Sequence, residues 1–216
     1  MALGPAMSSA DIRLMMSAAD VKCRLFGMGR WEPDARGRLE RAAMELYLER
    51  GFENTTVAEI AERAGLTERT FFRHFADKRE VLFSGSAQLQ QLLAECVAAS
   101  PDSAVPIDAV RAALEAVGAV IQQRRDWSKQ RQAVISANTE LRERELIKLA
   151  SMAETLAETL RRQRGVKDPI ASLTAEAGIA AFKVAFERWV QQPSKRDLPR
   201  LIGESIDQLK ALATSN

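Results

Sequence analysis

The stretch from Thr55 to Leu82 constrains the fold of this chain more than any other part of its sequence. Its apolar residues follow helical spacing on both sides of Ala64-Gly65-Leu66, where glycine supplies the positive φ that a tight turn needs. Two short helices joined by such a turn form a helix-turn-helix, which places its second helix in the major groove of DNA. The sequence therefore predicts a small DNA-reading unit followed by a much longer helical region.

Capping residues mark where the helices of this stretch begin. Thr56 and Glu59 form a Thr-x-x-Glu capping box at the start of the first helix, and Thr67 caps the second. Asp77 and Glu80 repeat the capping-box pattern. We therefore expect a further long helix to start at Asp77, directly after the helix-turn-helix.

In the rest of the chain, apolar residues recur at three and four positions, with Pro, Gly and Asp at the breaks. We expect helices at about 106–124, 127–137, 139–164, 169–192 and 198–214, and we find no strand signal and no repeat. The predicted fold class is therefore all-α. An N-terminal three-helix unit covers 34–82 and a larger helical region covers 83–216. Residues 1–33 lack a sustained period and are predicted to form a flexible arm.

The composition supports a packed helical protein, since 46% of the residues are apolar and 28% are charged. The formal net charge of +2 does not by itself indicate nucleic-acid binding, so the placement of charge carries that argument. Four basic residues, Arg69, Arg73, Lys78 and Arg79, cluster in one short stretch that begins in the second helix of the helix-turn-helix. Five acids of this region lie on the two preceding helices and can face away from DNA: Glu40, Glu45, Glu49, Glu59 and Glu62.

What the sequence lacks excludes several classes of protein. No apolar run reaches the length of about 18 residues that indicates a membrane span. Cys23 and Cys96 have no metal-ligand spacing and favour a reduced cytoplasm over a disulfide. His74 is the only histidine, and no nucleophile–base pair or metal cluster is visible. We therefore expect no enzyme activity, no catalytic residue, no metal and no cofactor.

The outward positions of the second helix are the candidates for DNA contact. Arg69 and Thr70 lie in the first turn, where side chains reach base edges, and Arg bonded to guanine contributes about 1–3 kcal/mol of discrimination. Glu68 either accepts from a cytosine amine or repels other bases. Further candidates hold phosphates, which positions the protein without reading sequence; they are Thr56, Arg73, His74 and Lys78.

A structural alternative stays open for each of these residues. Short helix pairs with glycine turns also occur in helical proteins that never contact DNA. Arg69 and Arg73 would then be a solvated face, and His74 an ordinary surface or core residue. Phe71 and Phe75 are core residues on either interpretation.

A series of motifs runs without a gap through this region: Gly51-Phe52, Thr55-Thr56-Val57, Ile60-Ala61, Ala64-Gly65-Leu66-Thr67, Thr70-Phe71-Phe72-x-His74-Phe75 and Lys78-x-x-Val81-Leu82. Together they resemble the N-terminal domain of TetR-family transcriptional regulators. The resemblance implies a homodimer that binds a palindromic DNA operator near its own gene and usually represses it. By resemblance, the DNA-facing positions are Thr55, Thr56, Thr67, Arg69, Thr70, Phe72, His74 and Lys78. The family often has Tyr where this chain has Phe72, so a hydroxyl-to-phosphate hydrogen bond is lost.

The resemblance also implies that the helical region at 83–216 binds a small molecule and dimerises through its last two long helices. The apolar faces proposed for a four-helix bundle carry Ile170, Leu173, Ala177, Ala181 and Val184 on one helix and Leu201, Ile202, Ile206 and Leu209 on the other. The alternative is that these residues pack inside one subunit.

Candidates for lining a ligand site are Trp127, Met152, Phe182, Phe186 and Trp189, although an aromatic stripe at helical spacing is more often core or interface than pocket. We expect an apolar organic ligand, because the region has no histidine and no carboxylates at ligand spacing. A basic group formed by Arg124, Arg125, Lys129 and Arg131 either meets an anionic ligand or is solvated surface.

By the same resemblance, the helix predicted to start at Asp77 connects the DNA-reading unit to the body. A ligand that favours a different tilt of this helix would change the distance between the two recognition helices, which a symmetric operator fixes at about 34–36 Å. Two other classes remain open. An enzyme would lose turnover when His74 is substituted, and a helical adaptor that binds proteins would give no gel shift with DNA from upstream of its own gene.

Overall fold

A computed structural model describes residues 34–191 and 196–214 of the chain. All regular secondary structure in these two ranges is α-helical, which confirms the predicted fold class. The helices in chain order are α1 (Ala35–Arg50), α2 (Val57–Arg63), α3 (Glu68–His74), α4 (Ser86–Ala99), α5 (Pro106–Gln122), α6 (Arg125–Ser136), α7 (Thr139–Arg164), α8 (Ile170–Gln191) and α9 (Leu198–Thr214). The predicted arm at 1–33, with Cys23, lies outside the described residues.

Helices α1 to α3 form the helix-turn-helix unit, and the predicted caps begin α2 and α3. The Thr56 hydroxyl accepts the Glu59 backbone N–H while the Glu59 carboxylate accepts that of Thr56, which completes the predicted capping box. The Thr67 hydroxyl accepts the backbone N–H of Thr70 at 3.2 Å. Gly65 lies between the two helices with a φ of +65°, as the predicted turn requires. Local sequence signals therefore determine the geometry that presents α3.

The apolar core of the helix-turn-helix unit extends beyond its own three helices. Phe71 of α3 is fully buried, in a cluster that includes Val134 and Ile135 of α6 and Leu141 of α7. The unit is therefore packed directly onto α6 and α7. The packing of this shared core therefore fixes the orientation of the unit relative to those two helices.

Residues 75–85, here called the linker, connect α3 to α4 and do not form the predicted helix start. Asp77 does act as a cap, since its Oδ1 accepts the backbone N–H groups of Arg79 at 2.8 Å and Glu80 at 3.1 Å. The Glu80 carboxylate instead reaches α7, where it accepts from Arg144 at 2.8 Å and Lys148 at 3.1 Å. The linker continues as a series of turns until α4 begins. The predicted capping box at Asp77 is wrong, because Glu80 is held by partners distant in sequence.

Helices α4 to α9 pack together as the helical body. Gly118 allows α5 and α9 to approach closely, since a Cβ there would lie 2.6 Å from Ile202 Cδ1. Leu201, Ile202 and Ile206 of α9 are fully buried within the subunit. The expectation that these three face a partner is therefore wrong, and the alternative of packing inside one subunit holds for them. It also holds for Ala181 of α8, which is buried. None of the described helices is both long and apolar enough to cross a membrane.

Candidate nucleic-acid interface

Helix α3 presents a row of polar side chains on the outside of the helix-turn-helix unit. Thr67, Glu68, Arg69 and Arg73 are exposed, and Thr70 is half-buried. Within the described ranges, no residue hydrogen-bonds to the Arg69 guanidinium. The structure therefore brings these five predicted contact residues together on one short helix, with the arginine of the first turn available to a ligand.

Phe72 and His74 complete the outer surface of α3. The Phe72 side chain is 55% exposed and meets the buried Phe71 ring edge-on, with 5.5 Å between the ring centroids. His74 is half-buried, and its Nε2 atom has no hydrogen-bond partner among the described residues. A buried polar atom without a partner costs about 1–3 kcal/mol, and a group outside the protein could bond to Nε2 only after the side chain turns outward.

The side-chain carboxylate of Glu59 occupies the N-terminus of α2. Glu59 Oε2 accepts the Thr56 backbone N–H and the Thr56 hydroxyl, each at 2.8 Å. Arg50 donates to the other Glu59 oxygen at 2.9 Å. The hydrogen bonds from Thr56, chiefly that of its backbone N–H, lower the pKa of Glu59 below its ordinary value, so this carboxylate stays ionised. A phosphate at Thr56 would therefore have to displace Glu59.

Thr55 and Lys78 are turned toward the inside of the unit. The Thr55 side chain is fully buried, and its hydroxyl donates to the Gly51 carbonyl at 2.9 Å. Lys78 Nζ donates to the carbonyl oxygens of Phe52 at 2.8 Å, Glu53 at 3.3 Å and Thr55 at 2.9 Å. The structure therefore does not bring these two predicted DNA-facing residues to the surface of α3, because Lys78 satisfies the carbonyls of the loop before α2.

The acids of α1 are paired within the protein. Arg63 donates to Glu49 through two bonds of 3.0 Å each. Glu40 is buried and accepts from Ser84 of the linker at 2.6 Å and from Arg124 at 3.2 Å. Because these acids are paired with other residues, Arg69 remains exposed without an ion-pair partner among the described residues, although the region has no large excess of basic residues. No local sequence pattern predicts these pairs, because the partners are far apart along the chain.

The predicted ligand-lining residues fall in two places. Phe182, Phe186 and Trp189 lie together on α8, with ring centroids 6.0 Å apart for the first pair and 5.8 Å for the second. Met152 of α7 is also buried. Trp127 instead packs against the core cluster of the helix-turn-helix unit. The structure therefore separates Trp127 from the aromatic group on α8.

The predicted basic group on α6 is largely engaged by other parts of the protein. The Arg125 guanidinium lies 5.0 Å from the Trp189 ring centroid and donates to the Trp189 carbonyl at 3.2 Å. Arg131 donates to the Leu82 carbonyl at 2.6 Å. In residues 34–191 and 196–214, no group of His, Cys, Asp or Glu side chains could hold a metal ion.

Comparison with known families agrees with this geometry. Residues 40–84 match the model for bacterial regulatory proteins of the tetR family, and residues 104–213, half of the chain, match the model for the MftR C-terminal domain. The chain belongs to the TetR family of bacterial regulatory proteins. It is therefore a DNA-binding transcriptional regulator and not an enzyme, as its sequence predicts.

Two relatives of this TetR-family regulator cover different shares of it. It is 28% identical over 191 residues to MftR of Mycobacterium tuberculosis, a candidate regulator of mycofactocin biosynthesis, which covers 85% of this chain and 93% of that protein. It is 39% identical over 82 residues to the HTH-type transcriptional regulator TcmR of Streptomyces glaucescens, but this match spans only 38% of this chain and 36% of TcmR.

A solved structure supports the TetR-type fold over most of the chain. The TetR-family repressor FadR of Thermus thermophilus, solved in complex with lauroyl-CoA, superposes with a TM-score of 0.53 at 24% identity. The superposition covers 81% of this chain and 93% of FadR. This similarity establishes the arrangement of the helices and leaves the ligand of the present regulator to be proposed.

Replacing Lys78 with Met keeps the length of the side chain and removes its three donors to the loop carbonyls. We expect K78M to lower the free energy of unfolding by about 2–3 kcal/mol, because charged hydrogen bonds are lost and buried acceptors are left unpaired. Urea unfolding measures the change, with the exposed Lys167→Met as the matched control. Unchanged stability combined with weaker DNA binding would contradict the inward role of Lys78.

Proposed function

We propose that this TetR-family regulator represses transcription in the cytoplasm by binding a palindromic operator as a homodimer, and that an apolar ligand releases it from DNA. The observation that carries the proposal is the exposed row on α3, with Arg69 in the first helical turn. A side chain in that position reaches base edges when a recognition helix enters the major groove.

Direct reading of bases is assigned to the start of α3. Arg69 reads guanine through two hydrogen bonds, and Glu68 accepts from cytosine or rejects other bases. The Thr70 hydroxyl lies 3.1 Å from the Thr67 hydroxyl, so either can turn its hydrogen toward a base or a phosphate. These four residues form the proposed specificity surface.

Phosphate and sugar contacts are assigned to residues around the specificity surface. Arg73 supplies positive charge, and the exposed Phe72 ring packs on the sugar–phosphate backbone. His74 contributes a phosphate contact only if its side chain turns so that the buried Nε2 atom reaches the surface. Thr56 contributes only if Glu59 moves aside. Thr55 and Lys78 contribute indirectly, because they fix the loop that carries Thr56.

Helix α8 supports the homodimer. Ile170, Leu173 and Val184 are exposed apolar side chains on this 22-residue helix, with the half-buried Ala177 between them. Their spacing gives an apolar stripe along one face, and such a stripe on a helix is typical of helix–helix interfaces. Because Leu201, Ile202 and Ile206 are buried within the subunit, the proposed interface is centred on α8.

The aromatic group on α8 supports an apolar ligand site. Trp189 is only 1% exposed, and its indole N–H has no hydrogen-bond partner among the described residues. Phe182, Phe186 and Met152 add apolar surface on α8 and the adjacent α7. A ligand with an apolar chain and one acceptor atom would bury the chain here and satisfy the indole N–H, which costs about 1–3 kcal/mol when left unpaired. Trp127 is the weaker candidate, since it packs toward the helix-turn-helix unit.

Arg69→Ala and Arg73→Ala separate base reading from phosphate positioning. On an operator selected from random DNA by the wild-type protein, we expect R69A to lose about 1–3 kcal/mol of discrimination at one base pair of each half-site. We expect R73A to weaken all sequences alike and to reduce the slope of log K against log salt by about one. Quantitative gel shifts at several salt concentrations measure both effects, with the exposed Arg200→Ala of α9 as control. Identical behaviour of R69A and R73A would contradict the assignment.

Leu173→Glu tests the interface on α8. We expect this variant to be monomeric in analytical ultracentrifugation and to bind single half-sites only weakly, because a carboxylate cannot be buried unpaired in an apolar interface. Leu48→Glu, at a comparably exposed leucine of α1, is the matched control and should remain dimeric. A dimeric L173E would place the interface elsewhere.

Fluorescence of Trp189 tests the ligand site. In a variant with Trp31→Phe and Trp127→Phe, Trp189 is the only tryptophan left. We expect lauroyl-CoA, the molecule bound in Thermus thermophilus FadR, to change the emission saturably, because its acyl chain would lie against the Trp189 ring. Coenzyme A without the acyl chain should have no effect. An equal response to both would contradict recognition of an apolar chain, and no response to lauroyl-CoA would exclude fatty acyl chains as the ligand class.

A further inference from the structure

Arg131 of α6 joins the body to the linker through a mostly buried guanidinium. Its side chain is 20% exposed, and its Nε–H donates to the Leu82 carbonyl at 2.6 Å. Its Nη1 donates to Glu145 of α7 at 2.9 Å, and the guanidinium lies 5.0 Å from the centroid of the Phe83 ring. One side chain therefore contacts α6, α7 and two consecutive linker residues.

Further charged side chains of α7 hold the same linker. Glu80 accepts from Arg144 at 2.8 Å and from Lys148 at 3.1 Å. Arg79 is paired with Glu140 at the start of α7. The linker is therefore fixed to the first turns of α7 by side-chain hydrogen bonds and ion pairs as well as by its own apolar residues.

The linker also shares its apolar core with α3, the recognition helix. It begins at Phe75, directly after α3, and Phe75 belongs to the same core cluster as Phe71, Leu82 and Phe83. A displacement of Leu82 and Phe83 must therefore repack the apolar side of α3, because close-packed interiors transmit small shifts. The position of the outward face of α3 depends on where Leu82 is held.

Helix α7 continues without a break from the linker contacts into the body. It has 26 residues, so at 1.5 Å per residue it is roughly 39 Å long. Met152, a proposed ligand contact, lies one turn beyond Lys148. A change of packing around Met152 therefore acts on the same rigid helix that holds Glu80 and Arg131.

We propose that Arg131 is a positioning residue for DNA binding, and that α6 and α7 set the orientation of the recognition helix by holding the linker at Leu82. This inference rests on the proposed function and adds to it a specific connection between ligand and DNA sites. The bond from Arg131 to the Leu82 carbonyl is the contact that fixes the linker at Leu82, on the C-terminal side of the linker's ion pairs with α7. Arg131 itself does not touch DNA.

The test compares Arg131→Met with the double variant Arg131→Met/Glu145→Met, in which no charge is left unpaired. Replacing a buried ion pair by apolar side chains of similar volume commonly preserves stability, so the double variant separates positioning from folding. We expect the double variant to unfold cooperatively at a slightly lower urea concentration than the wild type, because the Leu82 carbonyl loses its donor, and to bind the selected operator about tenfold more weakly under conditions where it is fully folded. The slope of its affinity against salt should be unchanged, because no phosphate contact is removed. Arg200→Met/Glu204→Met, an exposed ion pair of α9, is the matched control.

Hydrogen exchange without DNA tests the same contact independently. In the double variant we expect faster exchange of the backbone amides of residues 79–85, with the rates in α8 and α9 unchanged. Wild-type operator affinity in a stable double variant, a reduced salt slope, or unchanged exchange in the linker would each overturn the proposal. If the wild-type protein selects no DNA sequence, the proposed function fails, while the exchange result still decides whether Arg131 holds the linker.

Discussion

The recognition helix is held by an apolar core that it shares with the helical body. Helices α1 to α3 comprise about 40 residues, a size at which a domain rarely buries enough surface to be stable by itself. The core around Phe71 is completed by Ile135 of α6 and Leu141 of α7, each of them fully buried. The stability of the helix-turn-helix unit therefore depends on the body, and a change in the body has a physical route to the DNA-binding face.

Polar contacts around this core decide which charges remain for DNA. Lys78 binds three backbone carbonyls, Glu59 fills the N-terminus of α2, and Glu49 pairs with Arg63. These groups are used inside the subunit. Arg69 on α3 has no such partner among the described residues, and this explains how a chain with a net charge of only +2 presents a DNA-binding helix.

The sequence predicted features that depend on neighbouring residues and failed where distant residues compete. The turn at Gly65 and the caps at Thr56 and Thr67 were predictable, because each depends on at most three consecutive peptide units. The Asp77 capping box was not, because Glu80 is bound by Arg144 and Lys148 from the other half of the chain. The inward position of Lys78 was equally hidden, since no local pattern indicates that the loop carbonyls need a donor.

The apolar face of α9 shows the same limit in the body. Its spacing predicts a buried stripe, but periodicity does not indicate whether α5 of the same subunit or a second subunit covers it. In the structure, Gly118 of α5 lies close to Ile202 of α9, so α5 of the same subunit covers this stripe. The aromatic group on α8 was predictable as a set, whereas the separation of Trp127 from it follows from the tertiary position of α6.

Hydroxyl-radical footprinting of the wild-type protein on its selected operator tests the central claim most directly. The account predicts two equivalent protected half-sites on one face of the duplex, with their centres about one helical turn, ~34–36 Å, apart, as two α3 helices related by a two-fold axis require. A single protected patch, or protection that does not depend on sequence, would contradict it.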